Sequence, residues 1–117
     1  MVAATYVPDV GDIIKIDLDP RTAHEQGGSS PALVLSPKIY NGKTGLAVAV
    51  PITSRAKGYP FEVRLPGQIK TTGVVLADAI KNVDWRARNA RSTDTAPAEV
   101  MKAVRERLME LLGLAEP

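Results

Sequence analysis

The chain has no cysteine and one histidine, His24. Without cysteine there is no disulfide framework and no thiolate metal site. One imidazole falls short of the usual zinc ligand set, so neither a metal nor a cofactor is expected. No apolar run reaches the roughly 18 residues of a membrane span. The opening MVAATYVPDV lacks a basic region followed by an apolar one, so it does not read as a signal peptide. No GxxxxGKS/T loop and no GxGxxG fingerprint occurs, which leaves nucleotide-cofactor folds without support. These absences are those of a cytoplasmic protein.

What is present fits one domain spanning 1–117, large enough to bury a single core. Hydrophobic residues at 44% and charged residues at 24% are ordinary globular values. The net charge of +2 is mildly basic. Arg86, Arg88 and Arg91 cluster after Trp85, and Arg55 and Lys57 share a short segment. Such clusters read as solvated surface or as contacts for a polyanion.

Ile14, Ile16 and Leu18 alternate with Lys15, Asp17 and Asp19, the period of a half-buried strand that Pro20 ends. Arg21 to Ser30 is a long connection with two glycines. Ala32–Leu35 reads as a second strand, Asn41-Gly42 as a turn, and Leu46–Ile52 as a third strand buried on both faces. Phe61–Leu65 and Gly73–Ile80 supply two more. Short strands with frequent turns predict a mainly β (α+β) protein built as a small barrel or sandwich. Thr95 and Pro97 mark a helix start. Val100, Val104, Leu108, Leu111 and Leu112 then form one apolar stripe, with Gly113 as the stop.

Several residues allow two accounts. Glu25 is a solvated loop acid or a catalytic base. Thr53 is a β-branched strand residue or a hydroxyl donor. Trp85 is a core indole or a platform on which a base stacks. A Ser-His-Asp triad can be written from Ser29 or Ser30 with His24, but triads are recognised by geometry, and such combinations arise by chance.

EQGGSSPALVLSP, VPITSRAKGYPFEV, GVVLADAIKNVDWRAR and YVPDVGDIIKIDLDP together resemble the MazF/PemK family of toxin endoribonucleases. The resemblance runs from about Tyr6 to Arg88. It implies an SH3-like, plasmid-maintenance-toxin barrel of about five to seven strands with a C-terminal helix. It also implies a homodimer that cleaves single-stranded RNA without metal and is neutralised by a cognate antitoxin. Glu25 and Gln26 match the family's Glu-Gln, Pro31 its proline and Thr53 its threonine. The residue before the proline should be arginine, and here it is Ser30.

By this resemblance Glu25, Thr53 and position 30 are the catalytic residues. Gln26, Arg55, Lys57 and Arg86 are candidate RNA contacts, the last three by charge and nearness to the motifs. Replacing the arginine by serine predicts impaired cleavage in an intact fold. Arg21, Arg55 or Arg86 could reach the phosphate instead. A non-catalytic dimer binding RNA or antitoxin, and a gyrase-directed CcdB-like toxin, are the alternatives.

Overall fold

The alternation of Ile14 and Ile16 with Lys15 and Asp17 becomes strand β1, Asp12–Asp17. Both isoleucines are buried, Lys15 is exposed and Asp17 half-buried. The structure, a computed structural model, describes residues 6–18 and 28–114. Among the described residues β1 is followed by β2 (Ser29–Val34), α1 (Lys38–Thr44), β3 (Leu46–Thr53), β4 (Glu62–Arg64), β5 (Val74–Leu76), β6 (Lys81–Asp84), β7 (Arg91–Thr95) and α2 (Ala98–Leu111). The strands pair antiparallel in the order β4-β5-β3-β2-β1-β7, and β6 joins β3.

Successive strand side chains point to opposite faces, and both faces of this sheet are covered. Ile13, Leu33, Val50 and Ile52 on one face meet Val63, Leu65 and Val75 from β4, β5 and the residues beside them, together with Val100, Met101 and Val104 of α2. Ile14, Ile16, Ala32, Val34, Ala47 and Ala49 on the other face pack with Trp85. Strand β3 serves both sides, which is why its sequence is apolar throughout rather than alternating. Trp85 is 2% exposed and its indole N–H donates to the Asn41 carbonyl at 3.0 Å. It is therefore the core indole and not a stacking platform. Its burial is worth about 4–6 kcal/mol at roughly 25 cal/mol per Å² over about 150–250 Å².

Asn41 is fully buried, and bonds hold its whole amide. Its Nδ2 donates to the carbonyls of Pro8 and Ser36 at 2.7 and 2.9 Å, and its Oδ1 accepts the Ser36 hydroxyl at 2.6 Å. Ser36 Oγ in turn accepts from the Val48 amide at 2.8 Å. One asparagine thus ties the N-terminal segment, α1 and β3 together. This corrects the expectation of an Asn41-Gly42 turn: both residues lie inside α1, and the left-handed residue that ends the helix is Gly45 at φ +74°. Buried amide satisfaction overrides the local turn preference.

Other boundaries also differ from the sequence reading. β2 begins at Ser29, because Ser29 and Ser30 already pair with Asp17 and Ile16. Leu18 lies just past β1 and is 48% exposed. The regular part of the Gly73–Ile80 run is only Val74–Leu76. β6 and β7 carry too few large apolar residues to show a period in sequence, and their pairing with β3 and β1 defines them instead. Thr95 is the last residue of β7, opposite Asp12, and Pro97 is the residue that caps α2. The apolar stripe of α2 is buried at Val100 and Val104 and half-buried at Leu108, but Leu111 and Leu112 are exposed.

Candidate active site

Ser30 is held within the β1–β2 ladder, one pair from its end, rather than in a loose loop. Proline at 31 biases the residue before it toward extended backbone, and Ser30 pairs with Ile16 across β1. By alternation it shares a face with Ala32. A cavity of about 670 Å³ opens on this face, and half-buried Ser30 is part of its wall. Ala32, Ala49 and Pro51 form the apolar floor beside it.

The polar wall comes from two other elements. Strand β6 contributes Lys81, Asn82 and Asp84, and the turn after it contributes Arg88. Arg88 is fixed at three points. Its amide donates to the Asp84 carbonyl at 3.0 Å, its carbonyl accepts from the Asp17 amide at 2.8 Å, and its Nη1 donates to the Asp17 carbonyl at 3.2 Å. The Asp17 carboxylate takes Arg91 instead, at 3.0 Å. The Asp84 carboxylate accepts the Ala87 amide at 3.0 Å.

Thr53 lies at the end of β3. The β2–β3 register, Ala32 opposite Pro51 and Leu33 opposite Val50, sends Ser30 and Thr53 toward the same end of the sheet. Each stands two residues beyond the Ala32–Pro51 pair, so alternation gives both the cavity's face. Thr53 itself is not part of the cavity wall. Its Oγ1 accepts the Arg55 amide at 3.1 Å, which fixes the oxygen through a bond that does not use its own proton. The backbone of Thr53 is fixed by Gly73, whose φ of +117° lets the chain pass so close that a Cβ would lie 2.2 Å from the Thr53 carbonyl oxygen.

The remaining expected residues are distributed as follows. Arg55 and Lys57 are exposed on the segment after β3. Glu62 shapes that segment by accepting the Lys57 and Gly58 amides at 2.9 Å, and the Lys57 ammonium lies 6.0 Å from the Tyr59 ring centre. Arg86 stacks over Trp85 at 4.8 Å and does not line the cavity. Glu25, Gln26, Arg21 and His24 lie outside the described residues. Lys81, Asn82 and the position of Arg88 beside Ser30 were missed in sequence. Arg88 was visible there only as one member of a basic cluster, and nothing local connects residue 88 to residue 30.

Comparison with known proteins gives a consistent result. The family described as PemK-like, MazF-like toxin of type II toxin–antitoxin systems matches residues 9–112. The endoribonuclease toxin MazF of Escherichia coli strain K12 is 46% identical over 112 residues, covering 96% of this chain and 100% of that protein. Endoribonuclease PemK of Escherichia coli is 39% identical, over 87% of this chain and 80% of its own. A crystal structure of MazE–MazF from Deinococcus radiodurans superimposes with a TM-score of 0.86 at 50% identity, over 95% of this chain and 100% of that one. The expected small β barrel with a C-terminal helix is the fold these relatives share. Neither the non-catalytic nor the gyrase-directed alternative is favoured by relatives named endoribonucleases. On this sequence match and this shared fold, the chain belongs to the PemK-like, MazF-like toxins of type II toxin–antitoxin systems.

Proposed function

We propose that this chain, a MazF-like endoribonuclease toxin, works in the cytoplasm as a homodimer and cuts single-stranded RNA using a nucleophile that the RNA itself supplies. The ribose 2'-oxygen bonds to the adjacent phosphorus while the bond from phosphorus to the 5'-oxygen breaks. The products are a 2',3'-cyclic phosphate and a free 5'-hydroxyl, and DNA is spared because it lacks the nucleophile. Glu25 takes the 2'-hydroxyl proton, and the departing 5'-oxygen takes a proton from water to leave as the hydroxyl. Thr53 donates its hydroxyl to a phosphoryl oxygen as charge builds there. No metal enters this scheme. A cognate antitoxin, the counterpart of MazE in the Deinococcus radiodurans complex, holds the enzyme silent.

One observation supports this reading most directly. Ser30 and Thr53 run to one end and one face of the sheet, beside a cavity with cationic and amide side chains. A phosphate placed there meets the threonine donor on one side and position 30 on the other. Serine at 30 supplies one short neutral donor where a guanidinium would give a charged fork. Loss of one preorganised donor costs roughly 2.7–4 kcal/mol, about 10²–10³ in rate, so cleavage by this form is slow.

Incubation of the purified protein and Ser30→Arg with a mixed-sequence RNA, in the presence of a metal chelator, tests the proposal. Ser30→Arg should cleave on the order of 10²–10³ faster, with cyclic phosphate on the upstream fragments. Intact RNA with both proteins, or fragments lacking the cyclic end, would overturn it.

A further inference from the structure

Strand β7 is bulged opposite β1, and the bulge re-aims a carboxylate. Ile13 pairs with Asp94, the next residue Ile14 pairs with Ser92, and Thr93 is the extra residue between them. Ile13 and Ile14 lie on opposite faces of the sheet, and residues paired across strands share a face. The bulge thus turns Asp94 to the face of Ile13, Val63 and Leu65, while Ser92 stays on the other. In an unbroken strand the two would share one face. The Thr93 hydroxyl donates to the Ile13 carbonyl at 3.1 Å and holds the bulge in place.

We infer that Asp94 is a positioning residue for cleavage: it clamps the connection between β4 and β5, and through that connection holds Thr53 where its hydroxyl meets the phosphate. The inference rests on the endoribonuclease reading and adds to it a residue far in sequence from the family motifs.

Three bonds make the clamp. The Asp94 carboxylate accepts the Thr71 hydroxyl at 2.6 Å and the amides of Thr71 and Lys70 at 2.9 and 3.2 Å. Oδ2 takes Thr71 and Oδ1 takes Lys70, so both oxygens are used. The Thr71 hydroxyl, helped by the two amides, holds the carboxyl below its ordinary 3.8. It is therefore ionised at neutral pH, and the bonds are charge-assisted. Half-buried Ile69 of the same connection packs against the core.

From the clamp to the site is a short path. Two residues beyond Thr71, the backbone of Gly73 passes against the Thr53 carbonyl, and the Gly73 carbonyl accepts the Leu65 amide at 2.9 Å. Val74 then pairs with Thr53. On its other side β3 pairs with β2 only as far as Pro51, so among the described residues β5 is the ladder partner of Thr53. β5 is three residues long, and a strand that short is held by what anchors its ends. Asp94 supplies the anchor upstream.

The test uses the full chain in the Ser30→Arg background, on single-stranded RNA with chelator, well below the Tm of each variant. Asp94→Asn keeps the side chain's size, and Thr71→Val removes only the hydroxyl bond. Each should lower kcat by about tenfold, part of the roughly 10² that a 1 Å displacement costs. KM should change by less than about twofold, because the donor acts in the transition state. In Thr53→Val, which lacks the hydroxyl that the clamp positions, the same changes should cost less than about twofold, since groups acting as one unit are not additive. Without RNA, the amide resonances of Thr53, Gly73 and Val74 should move in Asp94→Asn.

Unmoved resonances at Thr53 would overturn the inference. So would kcat losses of equal size with and without the Thr53 hydroxyl, which report general loosening of the fold. Unchanged kcat in both Asp94→Asn and Thr71→Val would overturn it and leave the proposed function standing. If Ser30→Arg cuts no RNA, the function itself fails and the inference falls with it.

Discussion

Gly73→Ala is a sharp test of how the sheet holds the proposed phosphate donor. The added methyl would lie 2.2 Å from the Thr53 carbonyl oxygen, 2.8 Å from its carbon and 3.2 Å from Ser54 Cα. Cβ contacts below 3.0 Å essentially do not occur, and every neighbour here is backbone. The Thr53 peptide must therefore retreat by at least about 0.8 Å, the difference between 3.0 and 2.2 Å. Alanine at a φ of +117° adds its own strain, on the order of 1–3 kcal/mol. At roughly 4 °C per kcal/mol for a chain of this size, Tm should fall by about 4–12 °C. A displacement near 1 Å at a group that positions the reacting phosphate costs about 10² in rate.

The assay belongs in the Ser30→Arg background, where cleavage is fast enough for a large loss to be read. Circular dichroism would give Tm, and a fluorogenic RNA would give kcat below that temperature. Thr53→Val is the companion variant, since it removes the hydroxyl and leaves the backbone in place. A folded Gly73→Ala protein with unchanged kcat would show that the position of Thr53 does not limit the reaction. Unchanged kcat in Thr53→Val would remove the threonine from the chemistry altogether.

Three further outcomes are expected. Asn41→Ala strips partners from the Pro8 and Ser36 carbonyls and from the Ser36 hydroxyl, which should destabilise the fold by about 2–5 kcal/mol in urea titration; a loss below about 0.5 kcal/mol would mean that the buried network is dispensable. Burial and the Asp12 carboxylate, 2.5 Å away, push the Tyr6 hydroxyl well above its ordinary 10.0. The folded chain then keeps a proton that the unfolded chain releases, so this contribution is whole below pH 10 and declines as pH rises through it. Tyr6→Phe should flatten that decline in Tm, and an identical decline in both proteins would count against it. Arg55→Ala and Lys57→Ala should each weaken RNA binding and lower the slope of log K against log salt by about one, whereas an unaltered slope would place those residues off the RNA path.

Alternation in Ile14–Asp17 and the unbroken apolar run of β3 were legible because each depends only on which faces are buried. The stripe of α2 was legible for the same reason, though only Val100 and Val104 along it are fully covered. Asn41-Gly42 misled, since a buried amide with three partners outweighs a local turn preference. β6 and β7 were silent because pairing with β3 and β1, rather than hydrophobic period, makes them strands.

Residue order and composition alone determined the absence of a thiol or multi-histidine site and the mainly β character. They also carried the family motifs and the serine that stands in place of an arginine. Only the folded chain decided that Trp85 is core, that Arg86 rests upon it, and that Arg88 shares a cavity with Ser30. The physical reason is distance along the chain. Side-chain period reports what is next in sequence, but charges act through space, and strand register brings residue 88 alongside residue 17 and residue 30 beside residue 16.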